Sequence, residues 1–225
     1  MTVVRFFAVV TAAVVTLWSL QCAAAPFAVQ VGEARIGLDA PSGFADTQFT
    51  GSPRLQELGE SLTSASNRIL LFALSDADLR RFMVGDQIEL RRYMIAVTPR
   101  SMERDRVGEA AFKQLTGESM LGLGTPPAEK DLLKYLDSRQ TGAVSLLQEL
   151  RKDPDVVSIL QGARSKGGGF FERSKYMLSS TTWMLVRGKA LSLSVYTQYD
   201  DPADLEWIRL TTARWIDELK RLNSR

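Results

Sequence analysis

The chain has 225 residues, with 28 Lys and Arg against 26 Asp and Glu, no histidine and a single cysteine. That charge balance argues against nucleic acid or any strongly polybasic or acidic partner. Without histidine there is no Ser-His-Asp triad, no Cys-His pair and no histidine-ligated zinc or iron, and no metal or cofactor is expected.

Residues 1–24 read as an export signal. Arg5 supplies a positive n-region, Phe6 to Leu20 is an uncharged apolar run, and Gln21-Cys22-Ala23-Ala24-Ala25 ends it in small residues. Cleavage is expected after Ala24, because a cut after Ala25 would place Pro26 directly behind it. Two alternatives keep the segment. Cys22 could carry a lipid, although Gln21 stands where such a site wants Gly, Ala or Ser. The run could also remain as a single anchor, its alanine tail bringing it near the roughly 20 apolar residues that a span needs. All three place residues 25–225, one domain, outside the cytoplasm. Cys22 is the only cysteine, so the mature part has no disulfide or thiol chemistry, which suits a Gram-negative periplasm. A membrane contact is expected only if the N-terminal segment is retained, which would anchor the domain to the inner membrane facing the periplasm.

Along the mature chain, Phe27 to Leu38 alternates like a strand, with Val29 and Val31 and then Ala34, Ile36 and Leu38 on one face. Pro41-Ser42-Gly43 is a turn, and Phe44 to Thr50 is extended. Leu55, Leu58 and Leu62 predict a helix from Pro53 to Leu62. Ile69 to Leu74 is an unbroken apolar run, expected as a central strand buried on both faces. Ser75 caps a short helix from Asp76 to Val84. Gln87 to Thr98 is a further strand, stopped by Pro99.

From about Met102 to Leu160 the period reads as helical. Val107, Ala111, Phe112 and Leu115 form one stripe, Leu132, Leu133 and Leu136 a second helix, and Val144, Leu147 and Leu150 a third. Gly117 to Pro127 interrupts them as a loop, and Asp153-Pro154 is expected to start another short helix through Leu160, with a strand as the alternative. Tyr176 to Val186 and Ala190 to Tyr199 are then a hairpin turning at Arg187-Gly188-Lys189. Asp201-Pro202 opens the last helix, whose stripe runs through Leu205, Ile208, Thr212, Trp215, Ile216, Leu219 and Leu222 to Asn223.

Strands at both ends, helices between them and a terminal amphipathic helix predict an α+β domain. A mainly antiparallel sheet flanked by helices, an αβα sandwich with a helical insert at about 102–160, is the expected architecture. The stretch Ala34-Arg35-Ile36-Gly37-Leu38-Asp39-Ala40-Pro41-Ser42-Gly43-Phe44 carries a resemblance at the start of the domain. Gly188-Lys189-Ala190-Leu191-Ser192-Leu193-Ser194-Val195-Tyr196 before the long helix carries it at the end. With them the layout resembles exported PsbP/Mog1-like domains of Gram-negative bacteria over about half the chain. The resemblance implies an accessory or binding role without catalysis.

Arg164-Ser165-Lys166-Gly167-Gly168-Gly169-Phe170-Phe171 is the most conspicuous segment. Its consecutive backbone N–H groups, with Arg164, Lys166, Arg173 and Lys175 around them, are candidates to hold a phosphate or carboxylate. The leading reading of the segment is a flexible connection into the hairpin, pinned to the core by Phe170 and Phe171. Arg91, Arg92, Arg100, Arg104 and Arg106 could form a basic face, although alternation sends Arg91 and Arg92 to opposite sides. Asp200, Asp201 and Asp204 are candidate oxygen ligands for a hard cation, unless helix capping explains them. Glu206, Glu172 and Asp131 are candidate acid and base groups for glycoside cleavage. Trp183, Trp207 and Trp215 could line a sugar or lipid pocket or pack in the core. The leading expectation is a non-catalytic envelope protein that binds another envelope protein or a small ligand. The alternatives are a carboxylate-dependent hydrolase of envelope polysaccharide and a membrane-tethered structural domain.

Overall fold

The apolar positions of the first predicted strand change from odd to even numbers between Val31 and Ala34, and the chain turns there. Phe27–Val31 (β1) and Ala34–Leu38 (β2) form an antiparallel hairpin in which Val31 pairs with Ala34. A two-residue turn reverses the chain and shifts parity, so Val31, Ile36 and Leu38 are all buried. Gly32 takes the left-handed φ of 55° that such a turn favours. The computed structural model describes residues 27–128, 131–165 and 175–224, so the expected signal segment lies outside the described residues.

Seven strands make the main sheet: Phe44–Asp46 (β3), Asn67–Ser75 (β4), Arg92–Pro99 (β5), Ser145–Asp153 (β6), Val156–Arg164 (β7), Tyr176–Val186 (β8) and Lys189–Gln198 (β9). Their order is β3-β4-β5-β9-β8-β7-β6, and every neighbouring pair is antiparallel. The helices are Pro53–Ser61 (α1), Asp76–Met83 (α2), Glu109–Met120 (α3), Leu132–Asp137 (α4) and Pro202–Asn223 (α5). This is the α+β architecture expected from the sequence.

Both faces of the sheet are covered, as the unbroken apolar run in β4 requires. On one face Met94, Ala96, Leu193, Val195, Leu178 and Leu160 pack with Ile208, Trp215, Ile216 and Leu219 of α5, and Leu38 of β2 and Leu136 of α4 join them. Alternation sends the neighbouring residues to the other face. There Phe72, Leu74 and Tyr93 meet Leu55 and Leu58 of α1 and Leu79 and Phe82 of α2. Ala190, Trp183 and Leu185 meet Val107, Phe112 and Leu115 around α3. Hydroxyls beneath α5 satisfy one another: Ser158 and Thr182 lie 2.7 Å apart, and Ser180 and Thr212 2.5 Å. The Ser180–Thr212 pair fixes the lateral position of α5, because a slip would leave buried hydroxyls without partners.

The predicted helical insert at about 102–160 is corrected by the structure. Helix occupies only α3 and α4 within it, and the expected third helix is β6. The hairpin β6–β7 turns at Pro154–Asp155, where a helix start was expected, and the stretch that follows is β7, the strand that was the alternative there. Two bulges caused the misreading, one between Leu146 and Gln148 and one between Glu149 and Arg151. Each inserts a residue and resets the alternation, so Leu147 and Leu150 face the same core at a spacing of three. The bulges and the charged Glu149, Arg151 and Lys152 also blunt an edge strand against pairing with another chain. Two boundaries shift as well. Phe44 to Thr50 is β3 followed by a 3₁₀ turn at Thr47–Thr50, and the strand expected from Gln87 begins only at Arg92.

Candidate functional site

A groove of about 600 Å³ lies between α1 and β4. Its floor is apolar: Leu55 of α1 and Phe72 of β4 are buried, and Ile69 packs with them. Its walls are polar, with Gln48, Gln56, Glu60, Ser64, Asn67, Arg68 and Arg100. Gly59 lets α1 lie close to the sheet, since a Cβ there would sit 2.9 Å from the Phe72 ring.

Local chemistry positions these walls. The Asp46 carboxylate accepts from the Gln48 backbone N–H at 3.0 Å and starts the 3₁₀ turn that closes one end. Thr47 Oγ1 donates to the Phe72 carbonyl at 2.9 Å and ties that turn to β4. Pro53 at the first helical position starts α1. At the other end Arg68 donates to the Glu103 carboxylate and, at 3.0 Å, to the Gln30 carbonyl. Arg100 Nε donates to the Asn67 carbonyl at 3.1 Å. Arg68 is therefore neutralised in place, while exposed Arg100 supplies positive charge at the mouth.

Of the residues proposed for the glycine-rich site, Arg164 is described, and Lys166, Gly167, Gly168, Gly169 and Arg173 lie outside the described residues. Arg164 ends β7, donates from Nε to Thr141 Oγ1 at 2.9 Å, and stands 3.8 Å from Asp137. Lys175 reaches the same Asp137 at 2.7 Å. Hydrogen bonds from Lys175 and then Tyr176 hold the Asp137 carboxyl below its ordinary pKa. Both cations are thus already matched with a carboxylate.

The basic residues of β5 converge instead of separating. Leu90 has a left-handed φ of 47°, and Arg91 precedes the strand, so alternation does not govern it. Arg92 Nη2 lies 2.8 Å from Asp204 and Arg91 Nη2 3.4 Å from the same carboxylate. Arg91 also pairs with Asp200 at 3.3 Å. Asp201 caps α5, and Asp204 completes the capping box. The three aspartates are spent on helix capping and ion pairs, and no group of potential metal ligands occurs among the described residues.

The candidate acid and base groups serve separate local roles. Asp131 caps α4 by accepting from the Leu133 and Lys134 N–H groups, Glu206 lies 4.0 Å from Arg209, and Glu172 is outside the described residues. Trp215 is buried and donates from Nε1 to the Asp39 carbonyl at 3.0 Å. Trp207 carries the Arg92 guanidinium 4.1 Å above its ring, and Trp183 packs beside α3.

The groove went unseen in the sequence because its parts have no shared motif. They span residues 47–72, and the β4–β5 pairing of Asn67 with Pro99 brings Arg100 to them. The one local signal was the glycine in the apolar stripe of α1.

No protein-family model and no curated protein matches the chain. Solved structures similar to it include the Saccharomyces cerevisiae Ran-binding protein Mog1p, with a TM-score of 0.39, 12% identity, and coverage of 89% of this chain and 93% of that one. A mutant of Mog1 gives a TM-score of 0.38 and 12% identity over 89% of this chain and 94% of that one. The likeness is one of chain layout alone.

Proposed function

We propose that the protein is an exported, non-catalytic binding protein of the cell envelope that holds a small amphipathic ligand between α1 and β4. The observation that carries this reading is the groove itself. Its volume of about 600 Å³ lies within the range of roughly 300–1,000 Å³ usual for small-molecule sites, and it joins an apolar floor to polar walls. An acyl or aryl portion rests on Leu55, Ile69 and Phe72, and an anionic head meets Arg100. The lack of histidine throughout, and of cysteine beyond Cys22, supports binding over catalysis. The N-terminal Arg5, apolar run and small-residue end support export to a Gram-negative periplasm.

Native mass spectrometry of protein taken from the envelope fraction tests the reading. The expected result is a chain beginning at Ala25 that carries a bound small molecule. Gln56→Trp, an exposed substitution at the groove wall, should remove that mass without unfolding the protein. Finding Met1 at the N-terminus would make the segment an anchor, and a diacylglycerol on Cys22 would make the protein a lipoprotein. A Gln56→Trp protein that retains the ligand would place binding elsewhere. Turnover of peptidoglycan, peptide or ester substrates that one acidic substitution abolishes would overturn the non-catalytic reading.

A further inference from the structure

The turn that closes the groove also contributes Phe49 and Thr50 to a second cavity, of about 350 Å³. Its walls are Phe27 of β1, Phe49, and Leu79 and Met83 of α2, and its charged lining residues are Asp39 and Asp46, with no Lys or Arg among the described residues. Phe27 and Phe49 meet edge to face with centroids 5.9 Å apart.

Asp46 is the unusual member. It is 6% exposed, and Oδ1 accepts from the Gln48 N–H, but Oδ2 is buried with no hydrogen-bond partner among the described residues. An orphaned buried carboxylate oxygen is costly. Capping the 3₁₀ turn does not demand it, because Asn caps as well as Asp. Burial raises the Asp46 carboxyl above its ordinary pKa, and the backbone N–H groups of Gln48 and Phe72 only partly oppose this. Asp39 is raised too, first by burial, then by Glu218, against the pull of Ala40 N–H and Arg221. Arg221 is itself paired with Glu218.

Two carboxylates without a lining cation, one of them with an orphaned oxygen, lack a positive hydrogen-bond donor. Aromatic walls favour the same partner, since a cation is attracted to ring faces. We infer that this cavity binds a small organic ammonium, a protonated amine on an apolar or aromatic body, with the amine paired to Asp46 and the body between Phe27, Phe49 and Met83. Phe49 and Met83 are 76% and 68% exposed, so little packing opposes their moving aside to admit the amine. The site is separate from the groove and does not depend on a ligand there.

Calorimetric titration at pH 7.5 with 2-phenylethylamine, its neutral isostere 2-phenylethanol and the anion 3-phenylpropionate tests the inference. The amine should bind at least about tenfold more tightly than the alcohol, and the anion most weakly, tenfold being about 1.4 kcal/mol. In Asp46→Asn the amine and the alcohol should come within about twofold, with cooperative thermal unfolding retained. Phe49→Ala, at an exposed position, should weaken the amine about threefold or more. Equal binding of amine and alcohol, no amine binding, or a preference that survives Asp46→Asn would overturn the inference. So would loss of the amine in Gln56→Trp, which would move it into the groove.

Discussion

Arg92 Nη2 approaches Asp204 Oδ1 at 2.8 Å, and this pair joins the start of β5 to the first turn of α5 across 112 residues of sequence. The Asp204 side chain is only 2% exposed, and its other oxygen accepts from the Asp200 and Asp201 N–H groups at 3.1 and 3.4 Å. One carboxylate thus caps the long helix and pins it to the sheet. Stacking on Trp207 holds the Arg92 guanidinium in place. Removing one member of a buried pair commonly costs about 3–5 kcal/mol. Because Arg92 remains partly exposed, Arg92→Ala should cost about 2–3 kcal/mol. Arg91→Ala should cost under about 1 kcal/mol, as for exposed ion pairs. Urea unfolding of both variants checks the order, and equal losses would contradict it.

The acidic groups predict opposite responses to pH. Burial raises the pKa of Asp204, but the hydrogen bond from Arg92, the Asp200 and Asp201 N–H groups and the charge of Arg91 outweigh it and leave the pKa lowered. Its contribution is present above the unfolded pKa and is lost as pH falls through the lower folded value. Asp46 runs the other way, with a folded pKa raised chiefly by burial. Its contribution is present below the unfolded pKa and is lost as pH rises through the folded value. Asp46→Asn should therefore raise the melting temperature at pH 7.5 and make little difference at pH 3. Asp204→Asn should lower it at pH 7.5, with a smaller loss at pH 3. Circular-dichroism melts at the two pH values decide both signs.

Trp215 is 1% exposed at the centre of the α5 stripe. Trp215→Ala should cost about 3–5 kcal/mol through cavity formation. Trp215→Phe keeps most of the ring and loses the bond to the Asp39 carbonyl, so it should cost about 1–2 kcal/mol. A tolerated alanine in denaturant unfolding would mean that the helix does not seal the core.

Two helix glycines separate intrinsic propensity from packing. Around Gly117 in α3 no described residue comes within 4 Å of where a Cβ would sit. Gly117→Ala should stabilise by about 0.5–1 kcal/mol through a smaller loss of backbone entropy. Gly59→Ala has the same gain but drives a methyl against the buried Phe72 ring. Overpacking costs about 1–3 kcal/mol, so the net change should be a loss. Stabilisation by both would show that α1 can lift from the sheet, and with it the floor of the groove.

The sequence by itself determined the elements whose signals are local. Asp201-Pro202 with Asp204 marked the start of α5, and its stripe is buried at Ile208, Thr212, Trp215, Ile216 and Leu219 and half-buried at Leu205 and Leu222, because a helix repeats its core face at every turn. Arg187-Gly188 marked the β8–β9 turn, where both residues have positive φ, and Ser75 marked the cap of α2. Tertiary structure alone decided the rest. At β6 the bulges spaced Leu147 and Leu150 like helix neighbours, and only pairing with β7 shows them to be strand. Arg91 and Arg92 met on Asp204 because a left-handed Leu90 and the placement of α5 override alternation. The groove and the Asp46 cavity were invisible for the same reason. Local pattern encodes which face of an element is buried, whereas a cavity depends on how far apart the packed elements leave their neighbours.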